Sequence, residues 1–256
     1  MIHKLTHIHP DARIAENVTI EPFSSIAGNV EIGEGTWIGP NATIMDGARI
    51  GKNCRIFPGA VISAVPQDLK YKGEETLAIL GDGTVIRECA TINKGTAAKG
   101  ETVVGNNCLM MAYSHVAHDC KLGNNVILVN SVGLAGEVEV DDFAYLGGMV
   151  GVHQFARIGV HAFIQGGSMV GMDIPPFVTA GRNPTKFAGI NTVGLRRRGF
   201  SSAVIRLIQE SYRLIYSSGL NNSLAVERIE KDLEMIPELK LITDFIKSSK
   251  RGIIGS

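Results

Sequence analysis

The chain is short of rings, of net charge and of long apolar runs. Aromatic residues make up 6% of its 256 residues, with a single tryptophan. A core built with few rings and much glycine suggests thin, regular layers. Lys and Arg number 25 and Asp and Glu number 25, so no global field calls for nucleic acid or an anionic membrane surface. No stretch approaches the roughly 20 apolar residues of a membrane span. The N-terminal MIHKLTHIHPDA has no apolar run long enough for a signal peptide. The four cysteines lack zinc-ribbon spacing, and nothing implies secretion. A cytoplasmic chain with reduced thiols is expected.

Glycine, at 30 residues, and aliphatic side chains are plentiful. Their order is periodic. Stepping by six from Ile8 gives Ile14, Ile20, Ile26, Ile32, Ile38, Ile44, Ile50, Ile56 and Ile62. After Asp68 and Glu74 the phase recovers at Leu80, Ile86 and Ile92, and from Val104 it runs unbroken to Val170. With this aliphatic position as i, position i+4 is repeatedly small, as at Val18, Ser24, Ala42 and Cys54. Position i+1 is often glycine, as at Gly33, Gly39, Gly51, Gly123 and Gly147.

Neither a helix nor a plain alternating strand has a period of six; a short strand followed by a tight bend does. Three such units close a triangular coil of 18 residues, and stacked coils make three parallel sheets. Position i fills the interior, i+4 fits beside it, and the i+1 glycine is expected to permit the bend. Cys54, Cys108 and Cys120 fall on i+4 and are expected to be core fillers. This pattern resembles the hexapeptide-repeat family over roughly residues 8–180. The resemblance implies a left-handed parallel β-helix; the hand comes from the family, since parallel crossovers are normally right-handed.

Ser63–Ala78 and Ala97–Thr102 interrupt the pattern without losing its phase and are expected to be loops. The repeat is expected to stop at Pro175-Pro176. Beyond it, Ser201 or Ser202 can cap a helix to about Ser217, ended by Gly219, and a second helical region runs from about Ser223 to Ser249 with a break at Pro237. The expected organisation is a mainly β protein, with a β-helix domain over 1–190 and a small α-helical domain over 191–256.

In a coil of this kind residues 18 apart lie about 4.8 Å apart, one above the other. His118 and Asp119 are positions i+2 and i+3, expected to lie outside the core. One coil up from His118 is Gly136; the next is Gln154, beside His153. His115 also points out, and Glu137 follows Asp119 in its column. An imidazole able to take a proton, beside a glycine N–H with no side chain to block approach, is the layout of an acyl-transfer site. A lone histidine on a solenoid edge would be an ordinary surface residue; six such residues on one edge point to chemistry. A metal hydratase is the rival on the same solenoid, nominating His115, His118 and His153 as zinc ligands. A purely structural solenoid would need neither the histidine column nor the first loop.

The stretches QDLKY, HVAHDC, GGMVGVHQF, DIPPFV and GLRRRGFS occur in that order. Together they resemble the UDP-N-acetylglucosamine O-acyltransferases over essentially the whole chain. The resemblance implies transfer of an (R)-3-hydroxyacyl chain to the glucosamine 3-hydroxyl of UDP-N-acetylglucosamine, the first step of lipid A biosynthesis. The acyl donor would be carried on the phosphopantetheine of acyl carrier protein, with no tightly bound cofactor and no metal. It implies His118 as general base, Asp119 as its partner and Gly136 as oxyanion donor. Asp68 and Lys70 would hold the sugar nucleotide. His115, His153 and Gln154 would contact substrate, and Asn191, Arg197 and Arg198 the nucleotide end. Glu137 and Val193 depart from the residues that some members carry, histidine and glutamate respectively, which puts one substrate contact at each in question. Gly166 would mark the far end of the acyl groove. The family forms homotrimers with sites between subunits, so the first loop would serve a neighbour's His118, and Met110, Met149 and Met169 are candidates for outward-facing interface positions. The N-acyltransferase of the same pathway has similar repeats but carries an N-terminal uridine-binding domain, for which a repeat starting at Ile8 leaves no room.

Overall fold

The computed structural model covers Met1–Ser256. The six-residue period becomes a succession of mostly two-residue strands, and every two-residue strand ends on the aliphatic position: Ser25–Ile26, Glu31–Ile32, Trp37–Ile38 and onward. They stack into three parallel sheets of nine, eight and ten strands, visited in that order by each coil. Aliphatic residues pair with aliphatic residues throughout, as in Ile26↔Ile44 and Leu134↔Val152. Each coil thus lays one branched side chain of each sheet on the one below, and one continuous core of 58 buried residues results.

The two interruptions keep phase because they add whole hexapeptides. Strands normally pair 18 residues apart, as His115 does with Gly133. Across the first loop Val61 pairs with Thr91, and across the second Leu77 pairs with Glu101. Both loops leave the coil at the edge between the nine- and eight-stranded sheets, after strands Val61–Ala64 and Thr91–Asn93.

The bend is not made where the glycines are. Position i+3 is the residue in the left-handed region, at Asn53 (φ 53°), Tyr113 (φ 62°), Asp119 (φ 60°) and Glu137 (φ 59°) among others. Asn and Asp tolerate that conformation; rings and branched chains there cost about 1–2 kcal/mol each, which the surrounding coil must offset. The i+1 glycines have ordinary φ and serve close approach instead. A Cβ on Gly33 would stand 2.6 Å from the Gly51 carbonyl carbon one coil up.

Small residues at i+4 tie coils together. The Thr36 hydroxyl donates to Gly51 O at 2.9 Å, and the thiols of Cys54, Cys108 and Cys120 donate to the carbonyls of Gly81, Gly123 and Ala135 at 3.1–3.2 Å. Burial pushes the Cys120 thiol up to about 12 and the Cys108 thiol to about 11, so both remain inert fillers.

The prolines do not end the solenoid. Val178–Gly181 still pairs in parallel with Phe163–Ile164, and Lys186–Ile190 folds back on it antiparallel. Four helices follow: α1 (Thr192–Arg197), α2 (Ser202–Ser217), α3 (Asn222–Asp232) and α4 (Pro237–Ser248). The Ser201 hydroxyl caps α2 by accepting from Val204 N, and Pro237 starts α4 at a position that needs no N–H. The short α1 carries no periodic signal and was not expected. Tyr212 of α2 is fully buried against Phe187 and donates to Pro176 O at 2.5 Å. Met110 is completely buried, so it faces the core; Met149 and Met169 are exposed as expected.

Candidate active site

His118 stands at the edge between the nine- and eight-stranded sheets, above both loops. Its Nδ1 lies 2.8 Å from Asp119 Oδ2. Asp119 is not outside the core: its side chain has no exposure, whereas that of His118 keeps 18%. The turn at 119 is the same one that leaves Tyr113 and Met149 exposed; what buries Asp119 is the second loop laid against it. There Thr96, from the second loop, donates its N–H to Oδ1 at 2.9 Å and its hydroxyl to Oδ2 at 2.6 Å. The Asp119 N–H donates to the Thr102 hydroxyl at 2.8 Å. Burial alone would raise the Asp119 carboxyl, but the Thr96 and His118 hydrogen bonds outweigh it and hold the group below the usual carboxylate range.

An ionised Asp119 can only accept, so in the neutral imidazole the proton sits on Nδ1 and Nε2 is the acceptor that faces outward. That atom faces the first loop, with Asp68 Oδ2 at 4.0 Å. Asp68 therefore reaches the His118 of its own chain. The Asp68 carboxylate also accepts from Lys70 N at 2.9 Å, ordering the QDLKY turn and leaving the Lys70 side chain exposed.

Gly136 lies directly over the ring. A Cβ there would stand 2.6 Å from both Nε2 and Cε1 of His118, so no other residue leaves room for the imidazole. The Gly136 N–H donates to no protein acceptor. The equivalent N–H groups on the next edge do: those of Asp82, Asn106 and Asn124 donate to Asn106, Asn124 and Asp142 side chains at 2.7–2.9 Å. A side chain from the next coil closes each of those, and none closes Gly136.

Around this centre sit the other edge residues. His115 Nδ1 lies 2.7 Å from the Thr91 hydroxyl, and burial followed by the neighbouring His118 lowers its pKa. His153 and Gln154 occupy the coils above, exposed. Glu137 faces Lys99 of the second loop at 3.9 Å. From Gly136 the outer face of the nine-stranded sheet passes Gly133 and Gly151, which carry no side chains, towards Gly148 and Gly166 on its far edge. A Cβ at Gly166 would meet backbone alone, with Gly148 O nearest at 3.0 Å.

Asn191, Arg197 and Arg198 are not part of this cluster. They line an open pocket of about 770 Å³ with Tyr145, Phe163 and the exposed Val193, over the ten-stranded sheet. That sheet is the side of the triangle opposite the His118 edge. The Asn191 side chain is also occupied structurally, accepting from Gly194 N as the α1 cap and donating to His161 O at 3.0 Å. The Arg198 guanidinium lies 4.2 Å from the Phe143 ring, which stacks on the buried His161.

No three of the histidines, cysteines and carboxylates converge as metal ligands. His115 and His118 turn their Nδ1 atoms to Thr91 and Asp119. A hollow of about 710 Å³ at the N-terminal end of the same edge, by His7 and His9, is self-satisfied: Asp46 accepts from Asn29 N, and Arg49 pairs with Glu31.

Residues 29–64 and 101–136 match the bacterial transferase hexapeptide model, and residues 173–254 match the second-domain model of UDP-N-acetylglucosamine O-acyltransferase. A protein of Janthinobacterium sp. named acyl-[acyl-carrier-protein]–UDP-N-acetylglucosamine O-acyltransferase is 49% identical over 198 residues, 75% of this chain and 76% of its own. The chain belongs to the UDP-N-acetylglucosamine O-acyltransferases. It is an acyltransferase on a left-handed parallel β-helix. The solved LpxA of Bacteroides fragilis, a UDP-N-acetylglucosamine acyltransferase, superposes with TM-score 0.98 at 53% identity, covering 99% of this chain and 100% of that one. The acyltransferase of Francisella novicida gives TM-score 0.96 at 44% identity, covering 100% and 94%.

Thr96 and Thr102 hydrogen-bond Asp119 and Lys99 faces Glu137; none of the three carries a periodic signal. The threonines sit at or beside an insertion that changes the stacking interval from 18 to 24 residues, as in Thr91↔His115. Counting coils by 24 across that insertion places Gly95, the neighbour of Thr96, beneath Asp119.

Proposed function

We propose that His118 is the general base of an acyl transfer from acyl carrier protein to UDP-N-acetylglucosamine, with Asp119 as its fixed partner and Gly136 N–H as the oxyanion donor. The reaction is the first step of lipid A biosynthesis. The observation that carries the reading is the buried, triply hydrogen-bonded Asp119 against His118 Nδ1, with an uncommitted Gly136 N–H over the ring.

The glucosamine 3-hydroxyl attacks the thioester carbonyl of an (R)-3-hydroxyacyl group held on phosphopantetheine. His118 Nε2 takes the hydroxyl proton as the C–O bond forms. The imidazolium is stabilised by Asp119, and the oxyanion by Gly136 N–H. Collapse breaks the C–S bond, and the departing thiolate takes the proton back. Asp68, Lys70, His115, Glu137, His153 and Gln154 bind substrate around this centre. The acyl chain lies along Gly133 and Gly151, with Gly166 at its end. The open glycine favours a long chain.

Arg197, Arg198 and Asn191 bind the nucleotide end. Because they lie on the side of the triangle opposite the same chain's His118, one nucleotide sugar meets both groups only if a second copy supplies one of them. A homotrimer with sites between subunits satisfies this and gives the exposed Met149 and Met169 an interface to occupy. No helix is long and apolar enough to cross a membrane. We place the reaction in the cytoplasm, where the four free thiols stay reduced.

Incubating the protein with UDP-N-acetylglucosamine and a series of (R)-3-hydroxyacyl carrier proteins tests the reading. An O-acylated nucleotide sugar and free carrier thiol are expected in equal amounts. Thioester loss without sugar acylation would contradict it.

A further inference from the structure

The C-terminal segment delivers a cation to the rim of the His118 edge. Arg251 Nη2 donates to Gly171 O at 3.0 Å and lies 3.3 Å from His153 Nδ1. Gly171 and His153 are the i+1 positions of successive coils on the same edge as His118. His153 stands two coils above the level of His118, about 10 Å along the edge. The guanidinium thus stands beside the upper end of the column that begins at His118 and passes Gly136 and Gln154.

This placement is built rather than incidental. Ile253 and Ile254, which follow at once, are buried, and Ile253 bridges to Asp173. Asp173 N donates to Gly252 O at 3.1 Å, Ile254 N donates to Asp173 O at 3.0 Å, and the Ser249 hydroxyl donates to Asp173 Oδ2 at 2.7 Å. Gly252 takes φ 78°, a turn that suits glycine and points residue 251 away from the core. Three other cations of this region are paired, Lys247 with Glu230, Arg228 with Asp232 and Arg157 with Glu139, while the adjacent Lys250 is not. No carboxylate pairs with Arg251. A solvent-facing arginine fork held at both flanks, with four of its five donors uncommitted to carbonyls, suits a phosphate oxygen pair.

We infer that Arg251 is a substrate-binding residue that receives a phosphate ester at the outer end of the His118 edge. The inference rests on the acyl-transfer reading, which brings two such groups to the site: the diphosphate of the nucleotide sugar and the phosphodiester of the donor's pantetheine arm. The chemistry recognised is the same, and kinetics separates the sources.

Arg251→Gln removes the charge and keeps a donor for Gly171 O. The Michaelis constant of one substrate should rise on the order of 10- to 100-fold, the worth of a hydrogen bond to a charged group, with kcat and thermal midpoint little changed. A rise confined to UDP-N-acetylglucosamine assigns the diphosphate; a rise confined to the acyl carrier protein assigns the phosphodiester. Unchanged Michaelis constants for both in a folded, active enzyme would show that Arg251 only staples the C-terminal segment, and so would a fall in kcat alone. Either result would leave the acyl-transfer reading standing, since turnover itself reports on that. Should Arg251→Gln unfold, Arg251→Lys, which keeps the charge but loses the fork, is read in its place. A rise of several-fold in one Michaelis constant supports the inference, and none overturns it.

Discussion

Gly136 and His118 are matched by subtraction: the imidazole occupies the space that a side chain at 136 would fill, 2.6 Å from where its Cβ would stand. One coil's missing atom is the room that the neighbouring coil's ring occupies. Gly136→Ala should therefore displace the ring from Asp119. Turnover should fall at least 100-fold, in line with loss of a positioned base, while circular dichroism and the oligomeric state stay those of the parent. Gly133→Ala, with nothing within 4 Å of its Cβ, should leave the ring in place and perturb mainly the Michaelis constant of the acyl donor. Equal turnover by Gly136→Ala and the parent would remove Gly136 from the site.

Asp119→Asn keeps the shape and reverses the logic of the proton. The amide NH2 can donate to His118 Nδ1, which moves the imidazole proton to Nε2 and leaves no base facing the substrate. Activity should drop on the order of 10²- to 10⁴-fold. Thr96→Val removes only the hydroxyl donor and should cost far less. Steady-state kinetics of the two variants side by side checks the ranking; a milder effect from Asp119→Asn than from Thr96→Val would contradict the tautomer argument.

Gly166→Met should shorten the preferred acyl chain. The added side chain would project from the far edge of the glycine track, and each excluded methylene is worth about 0.8 kcal/mol of burial. Competition between donors of different length reads this out. An unchanged profile would place the end of the groove elsewhere.

His161 is stacked between Phe143 and Phe177. Burial, then the nearby Arg198 charge, pushes it down to about 4, with Asp142 opposing. An unfolded histidine titrates near ~6.5. The unfolded chain thus binds more protons between about 4 and ~6.5, and stability is lost as pH falls through that window. The full loss is about 3 kcal/mol. His161→Phe keeps a stacked ring without the titration. Urea midpoints at pH 7 and pH 4.5 should diverge less in the variant than in the parent; identical pH dependence would show that His161 is already accessible.

Much of this was legible in the order of residues because a hexapeptide coil converts sequence interval directly into height. Ile8 to Val170 marked the core, and the step of 18 set Gly136 above His118 and Gln154 above Gly136. What the period does not encode is what an insertion covers. Asp119, read as outward, is buried because the second loop lays Thr96 against it, and that insertion breaks the interval. The glycine at i+1 was assigned to the bend, whereas its purpose is close approach between coils. Arg251 was invisible for another reason: a segment returning from the end of the helical domain has no register with the coil.

The measurement that bears most directly on the central claim is single-turnover acyl transfer by His118→Ala, with thermal melting and light scattering on the same sample. His118 lies outside the core, so its truncation opens no cavity. The variant should melt and sediment as the parent does, still bind UDP-N-acetylglucosamine, and transfer the acyl group on the order of 10²- to 10⁴-fold more slowly. Near-normal transfer by a folded His118→Ala protein would contradict the assignment of the base and leave the His118–Asp119 pair without a catalytic role.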